Sequence, residues 1–190
     1  MSEGRKVYCP SCGTDVELFY MLVDGVELPH CFLCGALIEE ATPSAPKIKT
    51  LDFIMLADDS HLAREVIADK LLEIRVAKKV SAYSDGEEFL QNFTASLIQK
   101  RPPNLIILDI RMPGINGINA GVSARCIEKA FRKPSPTPLL FFSSVVCDDV
   151  LKNAMKKLSP ARYINKGTPS NPDELADRIV QVISKLLSDH

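Results

Sequence analysis

No stretch of about eighteen or more apolar residues, the length a bilayer-spanning helix needs, occurs in the 190-residue chain. Membrane insertion is therefore not expected. An apolar signal segment is also missing, since Met1 is followed by Ser2-Glu3-Gly4-Arg5-Lys6. That speaks against a secreted, disulfide-stapled protein, and the chain reads as cytoplasmic. Positive charge is scarce in the first forty residues, where Arg5 and Lys6 face Glu3, Asp15, Glu17, Asp24, Glu27, Glu39 and Glu40. Nucleic-acid backbones are bound by basic surfaces, so a nucleic-acid reader is not expected there. Repeats are absent, and only twenty-four residues follow Lys166. On this reading there is room for one last helix and none for a C-terminal output domain.

What is present begins with four strand-like apolar runs: Phe53 to Ala57, Leu105 to Leu108, Leu139 to Phe142, and Tyr163 to Ile164. Such continuous runs mean strands buried on both faces. They lead into Asp58 and Asp59, Asp109, Ser143, and Lys166 respectively. In an open parallel sheet the carboxyl ends of the strands line one crevice, so these distant residues converge. Three carboxylates in one crevice call for a bound cation or a raised pKa. Mg2+ suits the set, because it takes carboxylates, a carbonyl, waters and a phosphate oxygen in an octahedral shell.

Between the runs, Leu62, Val66, Leu71 and Ile74 recur at helical spacing, as do Phe89, Phe93 and Leu97, and Leu175, Ile179, Val182 and Leu186. Asp85 with Glu88, and Asn171 with Pro172 and Glu174, mark two helix starts. The segment Val76 to Tyr83 is the least strand-like, interrupted by Lys78 and Lys79, which an edge position accommodates.

These motifs make residues 51–190 similar to a response-regulator receiver domain, the doubly wound α/β fold with a five-stranded parallel sheet in the flavodoxin-like order 2-1-3-4-5. Asp58-Asp59-Ser60 resembles the family's acidic pair, and Asp109-Ile110-Arg111-Met112-Pro113 with Asn116-Gly117 its phosphoacceptor loop. Phe141-Phe142-Ser143-Ser144 resembles the strand ending in the switch hydroxyl, and Tyr163-Ile164-Asn165-Lys166 the strand ending in its lysine. The resemblance implies that Asp109 accepts a phosphoryl group from a sensor histidine kinase or phosphotransfer protein. It further implies that Asp58, Asp59, Asp109 and the Arg111 carbonyl hold Mg2+, and that Ser143 and Lys166 bind the phosphoryl oxygens. Tyr163 would then relay the change to an unidentified downstream protein target, with a phosphorylation-dependent homodimer also a candidate. Such a protein is a phosphoacceptor rather than an enzyme with an output reaction. Taken singly each residue has a plainer role: Asp59 or Ser60 as a helix cap, Ser143 in a turn, Lys166 solvated, Tyr163 a half-buried strand aromatic. Their joint order is what carries weight. Departures from the pattern are Ser143 for the commoner threonine, Ser144 for a smaller residue, Gly167 for proline after the lysine, and Asn116 for aspartate.

Residues 1–40 are a different object. Cys9-Pro10-Ser11-Cys12-Gly13 and Cys31-Phe32-Leu33-Cys34-Gly35 are two CxxCG knuckles separated by eighteen residues. Two matched pairs at this spacing form a tetrathiolate signal, here read as a small β zinc ribbon stabilised by Zn2+. A rubredoxin-like iron site, a disulfide pair and a redox CxxC are the competing readings. Val23-Asp24-Gly25-Val26 offers the hairpin turn. Phe19-Tyr20-Met21-Leu22 and Phe32-Leu33 are candidate protein contacts, or simply ribbon packing. Cys126 and Cys147 read as buried or partly buried thiols. Residues 41–50, with Ala41-Thr42-Pro43-Ser44-Ala45-Pro46, read as a semi-rigid spacer that leaves the two parts independently oriented. Two rival functions remain: a metal-binding adaptor whose receiver fold is an unphosphorylated docking or dimerisation platform, and an Mg2+-dependent phosphatase using Asp109 as nucleophile.

Overall fold

The computed structural model describes residues 6–23, 26–38, 49–167 and 172–188. Two antiparallel hairpins come first: β1 (Val7–Cys9) with β2 (Thr14–Val16), and β3 (Leu18–Val23) with β4 (Val26–Cys31). Val23 pairs with Val26, as a tight hairpin requires; Asp24 and Gly25 themselves, the proline-bearing spacer and Asn171 lie outside the described residues.

Five parallel strands follow, alternating with helices: β5 (Ile54–Ala57), α1 (His61–Glu73), β6 (Val80–Tyr83), α2 (Gly86–Ile98), β7 (Leu105–Leu108), α3 (Gly117–Ala130), β8 (Leu139–Ser143), α4 (Asp149–Lys157), β9 (Ala161–Asn165) and α5 (Pro172–Ser188). Their order is β6-β5-β7-β8-β9, the expected 2-1-3-4-5 arrangement. The weakest run became the edge strand β6. Lys78 and Lys79 precede it, the first paired with Asp52 at 2.7 Å and the second 4.9 Å from the Phe53 ring centroid.

Strand side chains alternate between two buried layers, because successive residues point to opposite faces. Met55, Ala57, Ile106, Leu108, Leu139 and Phe141 join Phe89, Phe93, Ala120, Ala124 and Leu151 on one face. Ile54, Leu56, Leu105, Ile107, Leu140 and Phe142 join Ile67, Leu71, Ile179, Val182 and Ile183 on the other. Each such Leu, Ile, Val, Met or Phe side chain contributes about 1.5–3 kcal/mol when removed from water, which explains the near-continuous apolar runs. Helix α1 departs from expectation. It buries Ile67 and Leu71, while Leu62 and Val66 are 70% and 44% exposed. At about 3.6 residues per turn, Leu62 sits half a turn out of phase with Leu71, so the two cannot share a face.

The hairpins are not set apart from the sheet, as the spacer composition suggested. Cys9, Val16, Cys31, Cys34 and Ile38 belong to the same buried cluster as Phe141, Cys147, Leu151 and Tyr163. Hairpins this small cannot enclose their own apolar face, and packing against the larger unit covers it. Among the described residues no helix is long and apolar enough to cross a membrane.

Asp85 caps α2, accepting from the Glu88 N–H at 2.8 Å, and this bond holds its carboxyl below the usual carboxylate range. A lowered folded-state pKa gives stability that is present above the ordinary aspartate value and is lost as pH falls through the folded value. Asp85→Ala should therefore cost about 1 kcal/mol at neutral pH, shrinking toward the cost of the missing neutral cap under strongly acidic conditions. Urea denaturation at several pH values measures this.

Candidate functional site

The carboxyl ends of β5, β7, β8 and β9 meet as the sequence suggested. Asp58 follows β5, Asp109 follows β7, Ser143 ends β8, and Lys166 follows β9. The backbone fixes their spacing: the Asp109 N–H donates to the Ala57 carbonyl at 2.8 Å, and the Lys166 N–H to the Ser143 carbonyl at 2.9 Å. Asp58, Asp109 and Ser143 are buried, whereas Asp59 stands exposed at the rim. One carboxylate oxygen from each of Asp58, Asp59 and Asp109 lies within 4.8 Å of the others.

Lys166 Nζ lies 2.6 Å from Asp58 Oδ2 and 3.4 Å from Asp109 Oδ1. Burial raises the Asp58 pKa, opposed by the Lys166 ammonium and the Ser60 N–H, and reinforced by the Asp109 carboxylate. Asp109 Oδ1 is buried and has no hydrogen-bond partner among the described residues. One ammonium cannot offset three carboxylates, and a buried acceptor left open is what a cation or an incoming phosphoryl group would use. The donor set is all oxygen, which fits Mg2+.

Three further residues shape this crevice, of which Ser60 and Gly117 were expected and Arg64 was not. Arg64, one turn into α1, donates to the Asp58 carbonyl at 2.7 Å and the Asp59 carbonyl at 3.2 Å, pinning the acidic pair. No spacing in the sequence signals it. Ser60 is the α1 cap, accepting from the Ala63 N–H at 3.3 Å, and its own N–H donates to Asp58 Oδ1 at 3.0 Å. Gly117 lets α3 approach the phosphoacceptor-loop backbone, since a Cβ there would lie 2.1 Å from the Asp109 carbonyl oxygen. Arg111 sits two residues past Asp109 in the loop leading to α3.

Ser143 Oγ accepts from the Val145 N–H at 3.4 Å. The buried Tyr163 hydroxyl donates to the Val145 carbonyl, and Asn165 Nδ2 donates to that carbonyl at 3.3 Å and to the Tyr163 hydroxyl at 2.6 Å. Burial pushes the Tyr163 phenol well above its ordinary pKa.

The second cluster is Cys9, Cys12, Cys31 and Cys34, whose sulfurs lie within 4.8 Å of one another. Cys9 to Cys34 and Cys12 to Cys31 are each 3.7 Å apart. A disulfide would need about 2.05 Å. A tetrahedron with metal–sulfur bonds of about 2.3 Å has edges of about 3.8 Å, so the four thiols fit a tetrathiolate metal. Gly13 and Gly35 have φ of +69° and +73°, and the Cys34 N–H points at Cys31 Sγ at 3.4 Å. Cys147 is buried and joins the same apolar cluster, whereas Cys126 on α3 is exposed, contrary to expectation.

The family model described as the response regulator receiver domain matches residues 54–180. A protein-glutamate methylesterase/protein-glutamine glutaminase of Haloarcula marismortui is 29% identical over 136 residues, covering 70% of this chain and 33% of that protein. Its counterpart in Methanococcus maripaludis is 33% identical over 92 residues, covering 48% of this chain and 22% of that protein. The probable transcriptional regulator ycf27 of Porphyridium aerugineum is 30% identical over 134 residues, covering 70% of this chain and 48% of that protein. The chain thus spans less than half the length of these curated relatives. Among solved structures, the receiver domain of the Arabidopsis thaliana histidine kinase CKI1 with Mg2+ and BeF3- has a TM-score of 0.60 at 20% identity, covering 72% of this chain and 90% of that chain. Vibrio cholerae CheY4 gives 0.54 at 20% identity, covering 72% of this chain and 98% of that chain. At such identity the likeness shows the fold.

Because α3 presses on the Asp109 backbone at Gly117, Gly117→Ala should cost about 1–3 kcal/mol through overpacking and displace the Asp109 amide resonance. Urea denaturation and amide NMR read the two effects.

Proposed function

The chain belongs to the response-regulator receiver family, and from that premise we propose that it is a two-component phosphoacceptor acting through Asp109. The carrying observation is Lys166, whose ammonium reaches Asp58 and Asp109 together while Asp109 Oδ1 receives no hydrogen bond among the described residues. An Asp109 oxygen attacks phosphorus, the P–N bond of a partner's phosphohistidine breaks, and its electron pair returns to the imidazole nitrogen. Asp58, Asp59, Asp109 and the Arg111 carbonyl are the residues that would hold Mg2+. When bound, that ion neutralises charge on the transferring oxygens. Lys166 exchanges part of its hold on Asp58 for a phosphoryl oxygen, and the Ser143 hydroxyl turns from the Val145 N–H to donate to another. Little else is asked of the protein, because phosphoryl transfer is chiefly positioning and electrostatics.

Residues 1–40 act as a metal-bound ribbon, 41–50 as the connection and 51–190 as the receiver. Zn2+ is the metal the four thiolates favour. Exposed Tyr20, Met21, Leu22, Phe32 and Leu33 suit a role in contacting other proteins. A cytoplasmic setting is the one that suits a tetrathiolate metal site beside a kinase-fed phosphoacceptor. The partners are a sensor histidine kinase or phosphotransfer protein, and a protein target that distinguishes the two states.

Beryllofluoride with Mg2+, which imitates an aspartyl phosphate, should shift the amide resonances of Asp109, Ser143 and Tyr163, and Asp109→Asn should abolish the shift. An unchanged spectrum for the parent protein would favour the adaptor reading instead. Elemental analysis should find one zinc per chain with no visible absorption, whereas a red protein would mean iron. Cys31→Ser should remove the metal and unfold the hairpins while the parallel sheet persists, because metal binding supplies most of the folding energy of so small a unit. Far-UV circular dichroism and amide NMR follow both parts.

A further inference from the structure

The cysteine hairpins rest on β9 and α5, and they do so through the first knuckle. The Asn165 N–H donates to the Ser11 carbonyl at 2.6 Å. Arg178 Nε donates to the Pro10 carbonyl at 2.8 Å, while its Nη2 donates to the Asn165 carbonyl at 2.6 Å. Pro10 and Ser11 are the two residues between Cys9 and Cys12, so both carbonyls of the metal-binding turn are held by the receiver. Lys185 adds a longer contact to the Leu37 carbonyl, at 3.4 Å. Ser11 and Arg178 are buried in this contact.

Asn165 is also bonded to residues that flank the phosphoacceptor crevice. It immediately precedes Lys166, and its side chain binds the Val145 carbonyl, the Tyr163 hydroxyl and the Gly167 N–H. Val145 is in turn bound to Ser143 Oγ. A group that draws Ser143 Oγ and Lys166 Nζ toward Asp109 therefore acts on both sides of Asn165: it frees the Val145 loop from Ser143, and it pulls on the backbone through Lys166. Asn165 thus carries bonds to the switch residues and to the knuckle at once.

We propose that the cysteine ribbon is an intramolecular ligand of the β9–α5 face, and that phosphoryl occupancy at Asp109 loosens its Cys9–Cys12 knuckle through Asn165 and Arg178. Linkage makes the effect reciprocal: a seated, metallated ribbon opposes phosphoryl occupancy, and releasing it favours occupancy. The reading rests on Asp109 being a phosphoacceptor, and it adds that the cysteine site is part of the readout.

The test uses the full metal-loaded chain with Mg2+, with and without beryllofluoride. Fluorine NMR first reports whether beryllofluoride is bound. With it bound, transfer of the cysteine-held metal to a colorimetric chelator should accelerate by about fivefold or more, the low end of typical coupling between sites. Hydrogen exchange at the Asn165 amide should accelerate as well, a readout that needs no metal chemistry. Arg178→Ala should raise the basal rate of metal loss, erase most of the beryllofluoride effect and tighten beryllofluoride binding. A bound fluorine signal with either metal transfer or Asn165 exchange unchanged or slowed overturns the coupling and leaves the phosphoacceptor reading standing. Absence of the fluorine signal removes both.

Discussion

Two buried carboxylates sharing one ammonium set the terms for the rest of the molecule. Asp58 and Asp109 sit at the ends of adjacent strands, and the only ammonium they contact among the described residues is Lys166. Burial of a charge is tolerable when it is paired and hydrogen-bonded, and each remaining lone pair left open adds cost. The Asp58 carboxylate is served at both oxygens, by Lys166 and by the Ser60 N–H. Asp109 is not, and that imbalance separates the reactive carboxylate from the positioning one. A site with the charge of three acids and one base is poised for a divalent cation and a phosphoryl group together, since each relieves a different part of the mismatch.

The parallel sheet is what makes such a site affordable. Its strands bury both faces, so polar groups can gather only where the strands stop, and four different chain segments stop at the same edge. This is why the fold and the site were both legible from runs of apolar residues and the identity of the next residue. Asp58, Asp109, Ser143 and Lys166 each follow or close such a run, and all four lie where that rule puts them. The helix start at Asp85 was legible for a similar reason, because a cap is a local device whose donor and acceptor are three residues apart.

Legibility failed where the determining contact is long-range. Leu62 and Val66 look like core positions by spacing alone, but the face of α1 that meets the sheet is fixed by Ile67 and Leu71. Arg64 and Arg178 look like surface cations, yet each is committed to backbone carbonyls, Arg178 to one distant by 168 residues. Cys147 carries no spacing signal, but it lies in the cluster beneath the ribbon cysteines. A proline-bearing spacer likewise says how the chain is connected and nothing about whether its two ends adhere. The ribbon's own apolar deficit is what decides that, since a unit too small to bury its inner face gains most by laying it on a larger neighbour.

The manner of that adhesion follows from which groups a metal knuckle leaves available. In a tetrathiolate site the sulfurs would be committed to the metal, while the Cys34 N–H points at Cys31 Sγ and the Gly13 N–H at the Cys9 carbonyl. The Pro10 and Ser11 carbonyl oxygens are what the first knuckle presents to the receiver, so the docking surface has to offer donors. Asn165 offers a backbone N–H at the end of β9, and Arg178 a guanidinium, which has donors and no acceptor. Gly13 then meets two demands at one position. Its φ of +69° turns the chain after Cys12, and its missing side chain leaves space for Arg178, whose Cζ would lie 2.6 Å from any Cβ. The glycine that closes the first knuckle thus serves the metal turn and the receiver contact alike. Gly35, which closes the second, would meet nothing within 4 Å. Two knuckles matched in sequence are therefore unequal in the fold: both share the receiver's buried cluster, and the first also takes hydrogen bonds from Asn165 and Arg178.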